Sequence, residues 1–179
     1  MTFKQFGFIG LGVMGEPMCR NLAVKAGVAV LALDLDPAPL QRLASVGVLA
    51  VKTVREAAEQ SQVIFLSLPS GEVVQRVALG ADGLLASVAA GTVVVDLSTS
   101  PLELTRQLAA QFAQREVTFI DAPVARTRAA AEAGTLSITV GADAAAFERI
   151  RPLLATFATD ITLCGPVGSG QVVKILNNM

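Results

Sequence analysis

Short runs of apolar residues recur along the chain and alternate with stretches of helical periodicity. Buried strands are predicted at residues 3–9, 28–33, 62–68, 92–95, 117–120, 135–140 and 161–164. Helices are predicted at residues 14–25, 37–46, 102–114 and 143–155, with a shorter one opening at Thr53-Val54-Arg55-Glu56. Strands that alternate with helices in this order predict an α/β fold with a doubly wound, mostly parallel sheet.

A glycine-rich turn lies between the first predicted strand and the first predicted helix. Gly10 allows a tight turn off the strand, Gly12 lets the backbone approach a pyrophosphate, and Gly15 lets the helix pack closely. Glycines also cluster in ordinary turns, but this strand–turn–helix context favours a Rossmann-type dinucleotide site. The predicted cofactor contacts in the turn are Gly10, Leu11, Gly12, Val13, Met14 and Gly15.

Asp34 ends the second predicted strand, where a carboxylate holds the ribose 2′-hydroxyl of a dinucleotide. The same carboxylate would repel the 2′-phosphate of NADP, and no arginine follows within the next few residues. We therefore expect NAD, with NADP as the less favoured cofactor. The alternative is that Asp34 caps the next helix, although Asp36 before Pro37 suits that role better.

Polar loops follow two later strands, at the edge of the sheet where ligands of open α/β folds bind. The first loop is Pro69-Ser70-Gly71, and the second contains Ser98, Thr99 and Ser100 before Pro101. Each of the three hydroxyls in the second loop is either a ligand contact or a cap of the helix that follows.

Composition narrows the classes of partner. The chain has 179 residues, 53% of them hydrophobic, and a net charge of −1, which favours one domain and argues against a nucleic-acid partner. No apolar stretch reaches membrane-spanning length and the start lacks a signal-peptide pattern. Cys19 and Cys164 lie in apolar surroundings and predict buried thiols, hence a reducing cytoplasm.

The residues that are missing restrict the chemistry. Because the sequence has no histidine, tyrosine or tryptophan, no His–Asp or Tyr–Lys pair inside it can donate a proton, and no zinc site is expected. Lysine remains as the acid or base. On a helix beginning near Gly170, Lys174 and Asn178 share one face and are suited to hold a substrate hydroxyl and its proton.

Four motifs in order resemble the β-hydroxyacid dehydrogenase family, which is related to 6-phosphogluconate dehydrogenase. They are Gly7-Phe8-Ile9-Gly10-Leu11-Gly12-Val13-Met14-Gly15, Asp96-Leu97-Ser98-Thr99, Asp121-Ala122-Pro123-Val124 and Gly168-Ser169-Gly170-Gln171-Val172-Val173-Lys174-Ile175-Leu176-Asn177-Asn178. The resemblance implies NAD-dependent oxidation of a small 3-hydroxyacid, or reduction of its semialdehyde, with Lys174 catalytic. It places Val13, Met14, Asp34, Leu68, Pro69 and Thr99 at the cofactor, and Ser98, Thr99, Asn177 and Asn178 at the substrate.

One departure from the family lies beside the third motif. Most members continue with Ser-Gly-Gly, which binds the substrate carboxylate, whereas this chain has Ala125-Arg126-Thr127. We expect Arg126 and Thr127 to contact the substrate, since a guanidinium suits a carboxylate, sulfonate or phosphate. This short stretch resembles sulfolactaldehyde reductases, which makes a sulfonated aldehyde a candidate. The alternative is a solvated loop arginine.

A second departure concerns the end of the chain. The expected organisation is a NAD-binding domain at 1–165 and the start of an inter-domain helix at 166–179, whereas family members continue into a helical domain that covers the site and builds a homo-oligomer. We therefore expect weak turnover or none from the chain alone. The competing hypothesis is a non-catalytic dinucleotide-binding or sensor module, and it gives no reason to retain Lys174.

Overall fold

The computed structural model of the protein describes residues 3–178. The strands are β1 (Phe6–Ile9), β2 (Val30–Leu33), β3 (Val48–Ala50), β4 (Val63–Leu66), β5 (Val93–Asp96), β6 (Thr118–Asp121), β7 (Val124–Ala125), β8 (Leu136–Gly141) and β9 (Ala158–Gly165). The helices are α1 (Gly15–Ala26), α2 (Pro37–Leu43), α3 (Val54–Gln60), α4 (Gly71–Leu79), α5 (Leu84–Ser87), α6 (Leu102–Ala113), α7 (Arg128–Ala133), α8 (Ala144–Leu154) and α9 (Ser169–Asn177).

The strands form one sheet in the order β3-β2-β1-β4-β5-β6-β8-β7, with β9 beside β8. Pairing is parallel from β3 through β6 and antiparallel where β8 meets β6 and β7. The chain order reverses at β1, which lies between β2 and β4, and this reversal opens a crevice at the carboxyl ends of the strands. The predicted doubly wound, mostly parallel sheet is confirmed.

Apolar side chains cover both faces of the sheet. One core packs α1, α7 and α8 against the sheet and includes the ring of Phe65, which contacts the rings of Phe8 and Phe157. The other core packs α3, α4, α5 and α6 and includes the stacked rings of Phe112 and Phe119. Burial on both faces explains why the central strands are continuous apolar runs and not alternating ones.

The predicted elements differ from the observed ones mostly at their ends and in the short pieces. β9 is longer than predicted, because its exposed first half carries Thr159 and Asp160 and breaks the apolar run. The sequence reading missed β3, α4, α5, β7 and α7, which are short or follow a loop signal. The predicted NAD-binding domain, 1–165, begins at Met1, and the predicted helix segment, 166–179, ends at Met179. Both of these end residues lie outside the described residues.

Several local signals are realised as predicted. Asp36 caps α2 by accepting a hydrogen bond from the N–H of Ala38, and Gly27 ends α1 in a left-handed conformation. Thr53 caps α3, but the Glu56 carboxylate accepts from the N–H of Lys52 and not of Thr53, so the predicted capping box is only half formed.

Cys19 and Cys164 are both free thiols, with Cys19 buried and Cys164 partly buried. Across residues 3–178 no helix is both long and apolar enough to cross a membrane. In the same part of the chain, no group of three or more histidine, cysteine, aspartate or glutamate side chains is placed to hold a metal ion.

Candidate functional site

The glycine-rich turn between β1 and α1 has the tight geometry that its sequence predicts. Gly10 has a φ of +96°, and a Cβ there would overlap the carbonyl oxygen of Ser67. A Cβ on Gly15 would in turn overlap the carbonyl oxygen of Gly10. Gly12 differs, because a Cβ there would meet no protein atom within 4 Å. The turn is therefore closed against the protein at both ends and open at its centre.

The amino end of α1 faces this opening. Met14 stands at the cap position and no side chain accepts a hydrogen bond from the first turn. Glu16, the acidic residue of that turn, is paired instead with Arg42 through contacts of 2.7 and 2.8 Å. Free N–H groups and the positive end of the helix dipole are thus left for an anion such as a pyrophosphate.

Asp34 lies at the carboxyl end of β2 and fixes two turns at once. Its Oδ2 accepts a hydrogen bond of 2.6 Å from the N–H of Leu11, and its Oδ1 accepts one of 2.8 Å from the N–H of Asp36. Asp34 does not cap α2, because Asp36 does. Its position beside the glycine-rich turn is the one expected of a ribose ligand, and the bond to Leu11 is a structural role that the sequence did not reveal.

A cleft of about 860 Å³ runs along the carboxyl edge of β1, β4 and β5. Most of the predicted site residues line it: Gly10, Gly12, Val13, Met14, Gly15, Asp34, Leu68, Pro69, Ser98, Thr99 and Arg126. The side chain of Leu11 is buried and does not line the cleft, and its N–H is bonded to Asp34. The cleft thus brings together residues from five separate parts of the sequence.

One wall of the cleft comes from residues that sequence reasoning missed. Leu35, Val54, Val73, Arg76 and Val77 line it beside Asp34. Three of them lie on α4, whose signal was the Ser70 cap followed by valines at helical spacing. This wall is apolar apart from the Arg76 guanidinium, which adds a positive charge to the cleft that holds Asp34.

The loop after β5 joins the cleft to the sheet through hydrogen bonds. The Ser98 hydroxyl accepts one of 2.9 Å from the N–H of Leu68, and the Ser100 hydroxyl donates one of 2.7 Å to Asp96 Oδ2. Thr99 is exposed on the cleft. The alternative that these hydroxyls cap α6 is wrong, since Pro101 holds the cap position without a side-chain bond.

Two buried carboxylates end the neighbouring strands β5 and β6. Asp96 and Asp121 are paired in register, and both are fully buried. Burial raises the pKa of Asp96 to about 6, although hydrogen bonds from Ser100 and Ser98 act in the opposite direction. Burial also raises the pKa of Asp121, opposed by N–H groups of Gly168 and Gln171. The sequence contained both residues within motifs but gave no sign that Asp121 contacts a distant helix.

Arg126 lies at the rim of the cleft in an unusual backbone conformation. Its φ is +89°, a region that favours glycine, and its Nη1 donates a hydrogen bond of 3.1 Å to the carbonyl oxygen of Thr135. Thr127 caps α7 by accepting from the N–H of Ala130. The structure therefore brings Arg126 to the site, while Thr127 has a local structural role.

Lys174 lies in the last turns of α9 and is partly buried, whereas Asn177 and Asn178 are exposed. In the described part of the chain these three residues are not among those that line the cleft. The predicted helix is confirmed, and it starts at Ser169. The roles of Lys174, Asn177 and Asn178 at the substrate stay predictions.

Comparison with known proteins agrees with this geometry. The family model of the NAD-binding domain of 6-phosphogluconate dehydrogenase matches residues 5–165. The chain is 42% identical to 2-(hydroxymethyl)glutarate dehydrogenase of Eubacterium barkeri over 175 residues. The aligned region covers 98% of this chain and 58% of that protein. The sequence thus matches a NAD-binding domain within a larger dehydrogenase.

Two solved structures share the fold almost completely. The 3-hydroxyisobutyrate dehydrogenase of Mycobacterium tuberculosis, with L-serine, has a TM-score of 0.91 and 36% identity, over 99% of this chain and 60% of that one. Psf3 in complex with NADP+ and 2-OPP also has a TM-score of 0.91, at 35% identity, over 97% of this chain and 61% of that one.

The chain belongs to the β-hydroxyacid dehydrogenase family. Within that family it forms the NAD-binding domain, and it spans 58% of the length of the Eubacterium relative.

Proposed function

We propose that the cleft binds NAD, with the pyrophosphate at Gly12 and the amino end of α1, and with the adenine ribose at Asp34. The open centre of the glycine-rich turn supports the first contact, and the position of the Asp34 carboxylate supports the second. The apolar wall beside Asp34 suits the adenine ring. Leu68, Pro69 and Thr99 lie toward the loop after β5 and would contact the nicotinamide half.

The activity that we propose is the transfer of a hydride between NAD and a small 3-hydroxyacid or its semialdehyde. The chain would supply the cofactor-binding part of a longer protein, called the full-length protein below, and would turn over weakly or not at all alone. The observation that carries this proposal is the family membership combined with a complete dinucleotide cleft. Hydride exchange is the chemistry that NAD supplies when bound.

The residues of the chain would manage the proton and the substrate. In oxidation, the Lys174 amine would take the proton of the substrate hydroxyl, and in reduction it would give that proton back. Asn178 would orient the hydroxyl, one helical turn beyond Lys174. Ser98, Thr99 and Asn177 would border the substrate, with Thr127 at the far side of the Arg126 loop.

Arg126 would bind the acidic group of the substrate. A left-handed φ is unfavourable for arginine, and such backbone strain persists where the surrounding structure or a function holds it. The bond to Thr135 orients the guanidinium, and a planar fork binds a carboxylate or sulfonate through two hydrogen bonds. We propose an anionic three- or four-carbon substrate, with carboxylate and sulfonate as the competing acidic groups.

Two further expectations belong to the full-length protein. The free thiols of Cys19 and Cys164 support a reducing compartment, for which we propose the cytoplasm. The exposed apolar residues Ile175 and Leu176 on α9 support association, for which we propose a homo-oligomer.

Lys174→Ala in the full-length protein tests the proposal. We expect kcat to fall by about 10²–10⁴-fold, the usual effect of removing a positioned acid or base, while NAD affinity stays unchanged. Lys174→Arg should not restore turnover, because a guanidinium stays protonated. Lys52→Ala, at an exposed position, is the matched control. Normal turnover in Lys174→Ala would contradict the proposed role and show that another group carries the proton, whereas a full-length protein without turnover on any hydroxyacid or semialdehyde would favour a non-catalytic binding module.

A further inference from the structure

The first turn of α9 is held by a buried carboxylate from another strand. Asp121 Oδ1 accepts a hydrogen bond of 2.6 Å from the N–H of Gly168, and Oδ2 accepts one of 2.9 Å from the N–H of Gln171. These N–H groups belong to the amino end of the helix, where they have no partner within it. Asp121 therefore caps α9 from the end of β6.

Two glycines make room for this carboxylate. A Cβ on Gly141 would overlap Asp121 Oδ1, and a Cβ on Gly170 would lie 2.9 Å from Oδ2. Thr139 adds a third link, since its hydroxyl donates a hydrogen bond of 3.0 Å to the carbonyl oxygen of Gly170. The start of α9 is therefore fixed on β6 and β8 at close range.

Gln171 joins the same helix turn to the loop after β5. Its side chain is fully buried, with Nε2 donating to the carbonyl oxygen of Ser98 at 2.8 Å. Its Oε1 accepts from the N–H of Ser100 at 3.2 Å. Because the Ser98 hydroxyl accepts from the N–H of Leu68, a continuous set of hydrogen bonds connects α9 to two loops that border the cleft.

The position of Lys174 on α9 relates it to this set. At about 100° per residue, Lys174 lies roughly 60° around the helix from Gln171, and Asn178 lies within about 20°. Gln171 faces the loop of residues 98–100, so Lys174 and Asn178 project to the same side of α9. Burying a carboxylate and an amide is unfavourable unless they are hydrogen-bonded, whereas apolar side chains would attach the helix without that penalty. Unlike apolar contacts, directional hydrogen bonds fix the rotation of the helix about its axis and its position along that axis.

We propose that Asp121 and Gln171 are positioning residues, which hold Lys174 and Asn178 at a fixed place relative to the Ser98–Ser100 loop and the cleft. This inference rests on the proposed proton-carrying role of Lys174. It assigns a function to two buried residues that touch neither the cleft nor, in the proposed mechanism, the substrate.

Gln171→Met in the full-length protein is the test, because methionine keeps the length of the side chain and removes both hydrogen bonds. We expect kcat to fall by about 10–100-fold, as a displacement near 1 Å of a reacting group does, while the KM for NAD changes less than about twofold. Gln107→Met, on the exposed side of α6, is the matched control and should leave both constants unchanged.

A double variant separates positioning from a purely structural role. If Gln171 acts through Lys174, adding Gln171→Met to Lys174→Ala should cause little further loss of kcat. Independent, multiplicative losses would overturn the inference, and so would a normal kcat in Gln171→Met. A normal kcat in Lys174→Ala alone would instead contradict the proposed function, so the two failures are distinguishable.

A milder variant covers the case in which Gln171→Met does not fold. Thr139→Val keeps the shape of the side chain and removes only the hydrogen bond to Gly170. It should lower kcat severalfold and leave the KM for NAD unchanged. Combined with Lys174→Ala, it should again cause no further loss of kcat. An unchanged kcat in Thr139→Val would then count against the inference.

Discussion

The amino ends of α1 and α9 both follow a glycine-rich turn at the carboxyl edge of the sheet, but they are completed differently. At α1 no side chain caps the first turn, and Gly12 faces open space. At α9 the Asp121 carboxylate already binds the first turn, and Gly170 faces that carboxylate. One helix end is left open to an external anion, and the other is neutralised by an anion of the protein. Gly-rich sequence before a helix therefore does not by itself identify a phosphate site.

Exchanging glycine for alanine in the two turns should give opposite results. Gly12→Ala should leave the free energy of unfolding nearly unchanged but weaken NAD binding by roughly 100-fold, because the methyl group occupies the approach of the pyrophosphate. Gly170→Ala should lower the free energy of unfolding by about 1–3 kcal/mol, since its Cβ would crowd Thr139 and Asp121, and should leave NAD affinity unchanged. Titration calorimetry and urea denaturation of both variants check this. A loss of NAD affinity in Gly170→Ala with none in Gly12→Ala would contradict the assignment of the two turns.

The buried Asp96 carboxylate, next to Asp121 in the sheet, should make stability depend on pH. The pKa of the Asp96 carboxyl rises from 3.8 to about 6 in the folded protein. Between these two pH values the folded state therefore retains a proton that the unfolded state has lost. The stabilisation linked to this group is complete below the unfolded pKa and disappears as pH rises to the folded pKa. Between pH 4 and pH 7 the free energy of unfolding of the wild type should fall by roughly 2 kcal/mol relative to that of Asp96→Asn. Urea denaturation at each pH gives this difference, and a constant difference would show that Asp96 does not titrate in this range.

Cofactor choice should depend on two opposite charges in the cleft. NAD should bind about tenfold more tightly than NADP, because Asp34 repels a 2′-phosphate. Asp34→Asn retains an acceptor for the Leu11 N–H and should lower the ratio of NAD affinity to NADP affinity. Asp34→Arg should lower this ratio or invert it. Arg76→Met should raise the ratio of NAD affinity to NADP affinity, since it removes a positive charge that would attract the 2′-phosphate in the same cleft. Calorimetry with both cofactors measures the four ratios, and an unchanged ratio in Asp34→Asn would assign Asp34 a purely structural role.

The smallest expected effect concerns the strained loop at the rim. Arg126→Gly should raise the free energy of unfolding by about 1 kcal/mol, because glycine adopts a φ of +89° without strain. The same change should weaken binding of 3-hydroxyisobutyrate and of a sulfonate analogue to the NAD-loaded full-length protein. Arg126→Lys keeps the charge but not the planar fork and should restore only part of the binding. Unchanged binding in Arg126→Gly would make Arg126 a solvated loop residue.

The α1 region could be predicted from sequence because its determinants are local. Gly10, Gly12 and Gly15 lie within six residues, and Asp34 and Asp36 follow directly on the next strand. The glycines act through backbone conformation and Asp36 acts as a cap, both of which short patterns encode, whereas the bond from the N–H of Leu11 to Asp34 was not predicted. The alternation of strands and helices likewise made the doubly wound, mostly parallel class of the sheet predictable, although β3 was missed.

The helix α9 itself could be predicted, but its hydrogen-bonded attachment could not, because its partners are distant in sequence. Asp121 binds Gly168 and Gln171 across 47 and 50 residues, and Gln171 reaches Ser98 across 73. No periodicity encodes such pairs. Arg76 was missed for a related reason, since it reaches the cleft only through α4, which the Pro69-Ser70-Gly71 loop signal concealed.

Amide NMR of the isotopically labelled chain during a NAD titration distinguishes the two helix ends. We expect the largest shifts on the N–H groups of residues 12–15, with further shifts at Leu11 and Asp36, whose N–H groups are bonded to Asp34. The N–H groups of Gly168 and Gln171, already bound to Asp121, should shift much less. If NAD instead produced its largest shifts at Gly168 and Gln171 and left the N–H groups of residues 12–15 unshifted, the assignment of the amino end of α1 as the dinucleotide site would be wrong.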